Sequence, residues 1–144
     1  MAAASNKPRK ILLIALAALL LTALTAVCGS YAIHTVTYDI AMDRYLSPYA
    51  EAAETYLAEN QAFTEKYGEV SLDVSSYSYG YLEPKKYSRL SLCPKAPATA
   101  EEFEAELAYL TVSVRFSGVN TVNVRFEKTP EGHLEITGWE DANE

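Results

Sequence analysis

The residue types that usually carry chemistry are sparse in this chain of 144 residues. Its two histidines are His34, beside a long apolar run, and His133, in a turn-like segment. Neither has a second His or Cys at ligand spacing, so no zinc site of the usual kinds is readable. Its two cysteines, Cys28 and Cys93, fall in the apolar run and in the polar part respectively. They are read as two free thiols. The densest acidic cluster is Glu101, Glu102, Glu104 and Glu106. Paired carboxylates can serve acid–base work or calcium, but the former needs a pocket that shifts pKa and the latter Asp, Asn and Gly at set spacings. A solvated helix start, favoured by the helix dipole, accounts for these glutamates better. No nucleophile elbow, phosphate loop or dinucleotide fingerprint occurs. The chain is therefore read as non-enzymatic, with no cofactor and no metal.

Aromatic residues give a different signal. Tyr77, Tyr79 and Tyr81 alternate along one stretch, and alternation puts them on one face of a strand. Tyrosine is enriched at interfaces because it combines a large contact area with a hydroxyl. This stripe is the candidate partner-binding surface, placed on the face opposite Val70, Leu72 and Val74. Packing beneath another part of the same domain is the alternative.

The element that must position all of this is an anchor. Residues 11–33, from Ile11 to Ile33, contain no acidic or basic side chain. As a helix this run spans about 35 Å, more than the ~30 Å of a bilayer's hydrocarbon core. Lys7, Arg9 and Lys10 precede it and no acid does. The excess of positive charge predicts a cytoplasmic leader over residues 1–10 and an extracytoplasmic remainder at the cell membrane. Tyr31 and Tyr38 then fall near the outer interface. Two other readings stand beside the retained anchor. Ser30-Tyr31-Ala32 has the small-residue spacing of a signal-peptidase site, although the run exceeds the 7–15 residues of an ordinary signal core. Cys28 is a candidate lipidation site, although Val27 before it fits poorly.

All 19 acidic residues follow the anchor, with nine bases, so that part of the chain carries a net charge of −10. Binding to nucleic acid or to anionic head groups needs clustered Lys and Arg. The nearest cluster, Lys85, Lys86 and Arg89, is short and reads as a solvated turn.

Periodicity then divides the outer part. Residues 34–47 are read as a juxtamembrane linker or helix, bent at Ser47-Pro48 because the residue before proline resists the helical region. Ser47 as N-cap and Pro48 at the first position would open a new helix over 48–67. On its apolar face lie Tyr49, Ala52, Ala53, Tyr56, Leu57, Phe63 and Tyr67, with Asn60 the one polar member, and Gly68 ends it. After the Val70–Tyr81 strand, Tyr87 to Cys93 reads as a short second strand. Thr99 with Glu102 is a capping-box signature for a short helix. Leu110 to Phe116, Val122 to Phe126 and Leu134 to Trp139 alternate with polar residues and are separated by turn signals, which predicts a three-strand antiparallel meander. The fold class is α+β: a transmembrane helix, then an amphipathic helix on a curved antiparallel sheet within a domain of residues 48–140, and a tail over 141–144.

The order of these features resembles the cytochrome oxidase assembly factor family, which has bacterial members and is related to a mitochondrial inner-membrane translocase subunit. The likeness lies in Tyr67-Gly68-Glu69-Val70, in Phe116-Ser117-Gly118 leading into Val122-Asn123-Val124-Arg125-Phe126-Glu127-Lys128, and in Gly132-His133-Leu134-Glu135-Ile136-Thr137-Gly138-Trp139. It covers about residues 50–140, and the Tyr-rich segment from Tyr77 to Tyr87 is longer than the family pattern. The resemblance implies a non-catalytic, membrane-tethered interaction module. Cystatin-like and nuclear-transport-factor-like folds give a similar string.

Three functions are therefore expected in order. The first is an interaction or assembly domain engaging another membrane or envelope protein. The second is a small-molecule-binding domain with a pocket between helix and sheet, lined by Tyr56, Phe63, Phe116 and Phe126. The third is an immunity-type inhibitor of a toxin, for which an acidic domain suits a basic partner.

Overall fold

The structure is a computed structural model that describes residues 7–84 and 95–142. The expected second strand at Tyr87 to Cys93, the Lys85, Lys86 and Arg89 cluster, and Cys93 itself lie outside the described residues. Among those described, the chain is α+β: helix α1 (Lys7–Glu59), helix α2 (Gln61–Tyr67), strand β1 (Leu72–Tyr81), helix α3 (Ala100–Glu106), and strands β2 (Leu107–Phe116), β3 (Asn120–Lys128) and β4 (Leu134–Asp141). The four strands form one antiparallel sheet in the order β1-β2-β3-β4.

Contacts divide the chain into two units, with the boundary in α1 between Asp39 and Ile40. In the first unit, α1 is long and apolar enough to cross a membrane, with a mean hydropathy of 2.8 over its most apolar window and none of that window buried. A signal sequence near an N-terminus has the same length and composition. The large side chains from Ile11 to Leu24 expose between 55% and 69% of their surface. Thr22, Thr25, Thr35 and Thr37 each turn their hydroxyl back onto the carbonyl four residues earlier, so these polar atoms are satisfied within the helix.

The second unit contains the core. From Ile40 onward α1 buries Met42, Leu46, Ala53 and Leu57, a spacing of three to four residues per turn that makes one apolar face. Against them stand Leu110, Val112, Val114 and Phe116 of β2, Val122, Val124 and Phe126 of β3, and Leu134 of β4, all buried. The meander expected over the last third is present, with a turn at Ser117 and Gly118, both at positive φ. Phe103 of α3 is fully buried and stacks on Tyr45 at 5.6 Å.

Two boundaries differ from the expectation. No helix begins at Ser47-Pro48, because α1 runs straight through Pro48 as one 53-residue element. A proline inside a helix costs about 3 kcal/mol through one lost hydrogen bond and a ring clash. Burying Met42 and Leu46 on the near side contributes about 1.5–3 kcal/mol each, which outweighs that cost. Arg44, whose carbonyl loses its donor at Pro48, and Pro48 itself are both exposed, so water can satisfy the carbonyl.

The second difference is at Asn60. The helix expected to continue to Tyr67 stops at Glu59 and restarts as α2, with Asn60 extended (φ −79, ψ 113) and its side chain accepting from the Phe63 amide at 3.0 Å. Gly68 closes α2 at φ 76, as expected. The capping of α3 also follows expectation: Thr99 Oγ1 accepts from the Glu102 amide at 3.1 Å, while the Glu102 carboxylate accepts from the Ala98 amide at 2.7 Å.

Candidate interaction surface

Strand β1 decides which face the tyrosines occupy. Val74 pairs with Val114 and Ser76 with Ser113, so Ser75 is an extra residue in β1. Such a bulge shifts the side-chain alternation by one. The Ser75 hydroxyl donates to the Ser113 carbonyl at 3.0 Å, which holds the bulge against β2. Beyond it, Tyr77 pairs with Val112, Tyr79 with Leu110 and Tyr81 with Leu107, all three partners buried. The tyrosine stripe therefore shares the helix-covered face with Leu72 and Val74 rather than the opposite one. All three rings are half-buried. Tyr79 meets Phe103 edge-on at 6.1 Å and Tyr81 at 5.7 Å. Burial, with Asp43 and Glu54 of α1 nearby, pushes the Tyr77 hydroxyl above its ordinary pKa. These contacts correct the side of the sheet on which the tyrosine stripe lies.

Most of the side chains expected to line a helix–sheet pocket are packed. Phe63, Phe116 and Phe126 expose 1%, 3% and 3% of their surface. Phe63 meets Phe116 edge-to-face at 5.4 Å and Trp139 at 5.5 Å, and Phe126 meets Tyr49 edge-to-face at 5.4 Å. Tyr56 is half-buried. Three of the four residues offered as pocket lining are core, packed through T-shaped aromatic contacts, and the open space nearby is a depression of about 410 Å³ beside Ala58, Phe63, Thr64, Gly68 and Leu72.

Polar side chains in this unit mostly serve the fold. Lys128 Nζ donates to the carbonyls of Glu104, Ala105 and Leu107 at 3.1, 2.6 and 3.0 Å, a cation at the C-terminal end of α3. Glu104 accepts from the Leu134 amide at 2.7 Å and lies 3.8 Å from His133 Nδ1, so it fastens α3 to the start of β4. Burial first, and then Glu104, pushes the Tyr49 hydroxyl up to about 12. At the other end Asp141 accepts from Lys66 at 2.5 Å and from the Tyr67 hydroxyl, which holds its carboxyl below the usual range. Of the acidic cluster, Glu101 and Glu102 lie in the exposed first turn of α3, and the Glu101 carboxyl is lowered by backbone and Thr99 hydrogen bonds. Cys28 is a free, exposed thiol. Among the described residues no three His, Cys, Asp or Glu side chains converge as metal ligands.

What remains is the outer face of the sheet. Its residues are Asp73, Ser76 and Ser78 on β1, Tyr109 to Arg115 in alternation on β2, Thr121 to Glu127 on β3, and Glu135 and Glu140 on β4. A shallow depression of about 550 Å³ opens here beside Ser78, Tyr109, Thr111, Ser113 and Asn123. The apolar alternation of β2 marks only its inward residues, so Tyr109 is not among the candidates that periodicity selects. Its signal in the sequence is an aromatic residue in the outward phase.

No family model, curated protein or solved structure matches this chain.

Proposed function

We propose that this protein is a membrane-tethered, non-catalytic interaction domain. Its N-terminus is cytoplasmic, its C-terminal domain is extracytoplasmic, and it engages another membrane or envelope protein. One observation carries the reading: the most apolar window of α1 is entirely uncovered, while the same helix from Ile40 onward supplies a buried face to the sheet unit. Apolar surface of that extent calls for a non-aqueous surrounding. The charge step from Lys7, Arg9 and Lys10 to nineteen downstream acids supports the orientation. An interaction role is also what the likeness to the cytochrome oxidase assembly factor family implies.

The small-molecule reading is weaker, since Phe63, Phe116 and Phe126 are packed into the core. Two measurements on the full chain test the proposal. Protease added to intact cells should remove a C-terminal tag and spare one placed before Lys7; a protected C-terminal tag would overturn the topology. Crosslinking in intact membranes should join the protein to a distinct second protein. Recovery of the protein alone, by crosslinking and in several mild detergents, would overturn the interaction role.

A further inference from the structure

Four residues lie in one row across the outer face of the sheet. Gly80 pairs with Tyr109, Tyr109 with Glu127, and Glu127 with Glu135. A Cβ on Gly80 would stand 2.4 Å from Tyr109 Cε1, so the Tyr109 ring lies directly over bare strand backbone. The ring is held there and still exposes 46% of its residue's surface. The arginines of this face are occupied by its own acids. Arg125 grips Glu140 through two nitrogens at 3.1 and 2.5 Å, and Arg115 meets Asp73 at 3.0 Å. Lys128, next to Glu127 in the chain, is turned onto the α3 carbonyls. Glu127 and Glu135 are thus left directly opposite each other, both exposed, with no ion pair among the described residues. Like charges in that position destabilise a sheet.

Resting on the reading of this chain as an interaction domain, we infer that the outer sheet face docks a basic segment of the partner. One lysine or arginine of that segment sits between Glu127 and Glu135, and a second, further along the segment, lays its cation against the Tyr109 ring over Gly80. Charge complementarity selects this occupant. The first cation relieves the repulsion of the two glutamates, and the second gains the attraction of the ring face. The hydroxyl and amide groups of Ser78, Thr111, Ser113 and Asn123 in the adjoining depression offer donors and acceptors to the polar atoms of the same segment. An acidic segment meets repulsion from a region with nineteen acids and nine bases.

The test uses the full chain in nanodiscs of phosphatidylcholine, so that the lipid surface carries no net charge. The probes are three fluorescent ten-residue peptides in which serine alternates with lysine, with glutamine or with glutamate. The lysine peptide should bind, more weakly as salt is raised, and the other two should not. The paired substitution Glu127→Gln with Glu135→Gln should weaken binding roughly tenfold, the order expected for losing a close charge partner. Because it removes a like-charge contact, this variant keeps the fold. Tyr109→Ala, checked by circular dichroism, should weaken binding by a similar factor, and Tyr109→Phe should retain it. Glu101→Gln with Glu102→Gln on α3 should change it less than about twofold, since exposed charges act only at long range and are screened. Equal binding of the lysine and glutamine peptides would overturn the inference. So would a loss in the α3 variant as large as in the sheet variant. If crosslinking finds a partner that the Glu127/Glu135 variant still captures at full yield, this face is wrong and the interaction role stands. If the wild-type chain captures no partner, the interaction role falls, while the peptide measurement still reads the face.

Discussion

Trp139 Nε1 donates to Asn60 Oδ1 at 3.2 Å, and the same oxygen accepts from the Phe63 amide at 3.0 Å. The residue that interrupts the long helix is therefore the one that ties it to the last strand. Around this pair, Phe63, Tyr67, Phe116 and Trp139 form a cluster of edge-to-face and tilted rings at 4.6–6.2 Å.

Asn60→Ala should cost about 1–3 kcal/mol, combining a lost N-cap of about 1 with a stranded Trp139 donor of similar size. Trp139→Phe, which keeps most of the ring, should cost less in the Asn60→Ala background than in the wild type. A double-mutant cycle by denaturant unfolding measures that coupling, expected near 1 kcal/mol. Strict additivity would mean that the two residues do not share the bond.

Phe63 sits where α2, β2 and β4 meet and exposes 1% of its surface. Phe63→Ala should destabilise the full chain by about 3–5 kcal/mol. Denaturant unfolding in detergent would show it, and a loss under about 1 kcal/mol would mean that the ring does not close this core.

Ser75 tests the bulge. Ser75→Ala keeps the extra residue and removes one hydroxyl bond, for a loss of about 0.5–1.5 kcal/mol. Deleting Ser75 restores plain alternation, so either Tyr77, Tyr79 and Tyr81 turn outward or β1 slips by one residue against β2. Either outcome breaks the Tyr79–Phe103 contact and should cost clearly more than the alanine variant. Equal stability of the two variants would dismiss the bulge as the device that orients the stripe.

Asp141 links α2 to the end of β4 through Lys66 and Tyr67, and its carboxyl is lowered in the folded chain. A lowered carboxyl adds stability above its unfolded pKa of about 3.9 and loses it as pH falls through the folded value. The thermal midpoint of the wild type should therefore exceed that of Asp141→Asn at neutral pH, and the gap should narrow below about pH 4. A gap that is constant from pH 7 to pH 2.5 would show that the ion pair contributes nothing.

Much of this protein is determined by local pattern. The apolar run from Ile11 to Ile33 makes a helix that can cross a membrane wherever the rest of the chain goes, since no acid or base interrupts it. The alternation in β2 and β3 sets which residues are buried, because a sheet with one covered face accepts only one phase. Capping at Thr99 and Gly68 is equally local, each depending on hydrogen bonds within four residues. Tertiary structure decided what depends on two distant segments at once. Pro48 reads as a helix start until the burial of Met42 and Leu46 against the sheet unit overrides it. Asn60 reads as a polar exception on an apolar face until Trp139, 79 residues later, is brought beside it. The tyrosine stripe reads as an outward face because alternation is counted from Val74, and a single unpaired residue at Ser75 reverses the count. That reversal depends on how β1 registers against β2, a relation between segments forty residues apart that no periodicity within either strand contains.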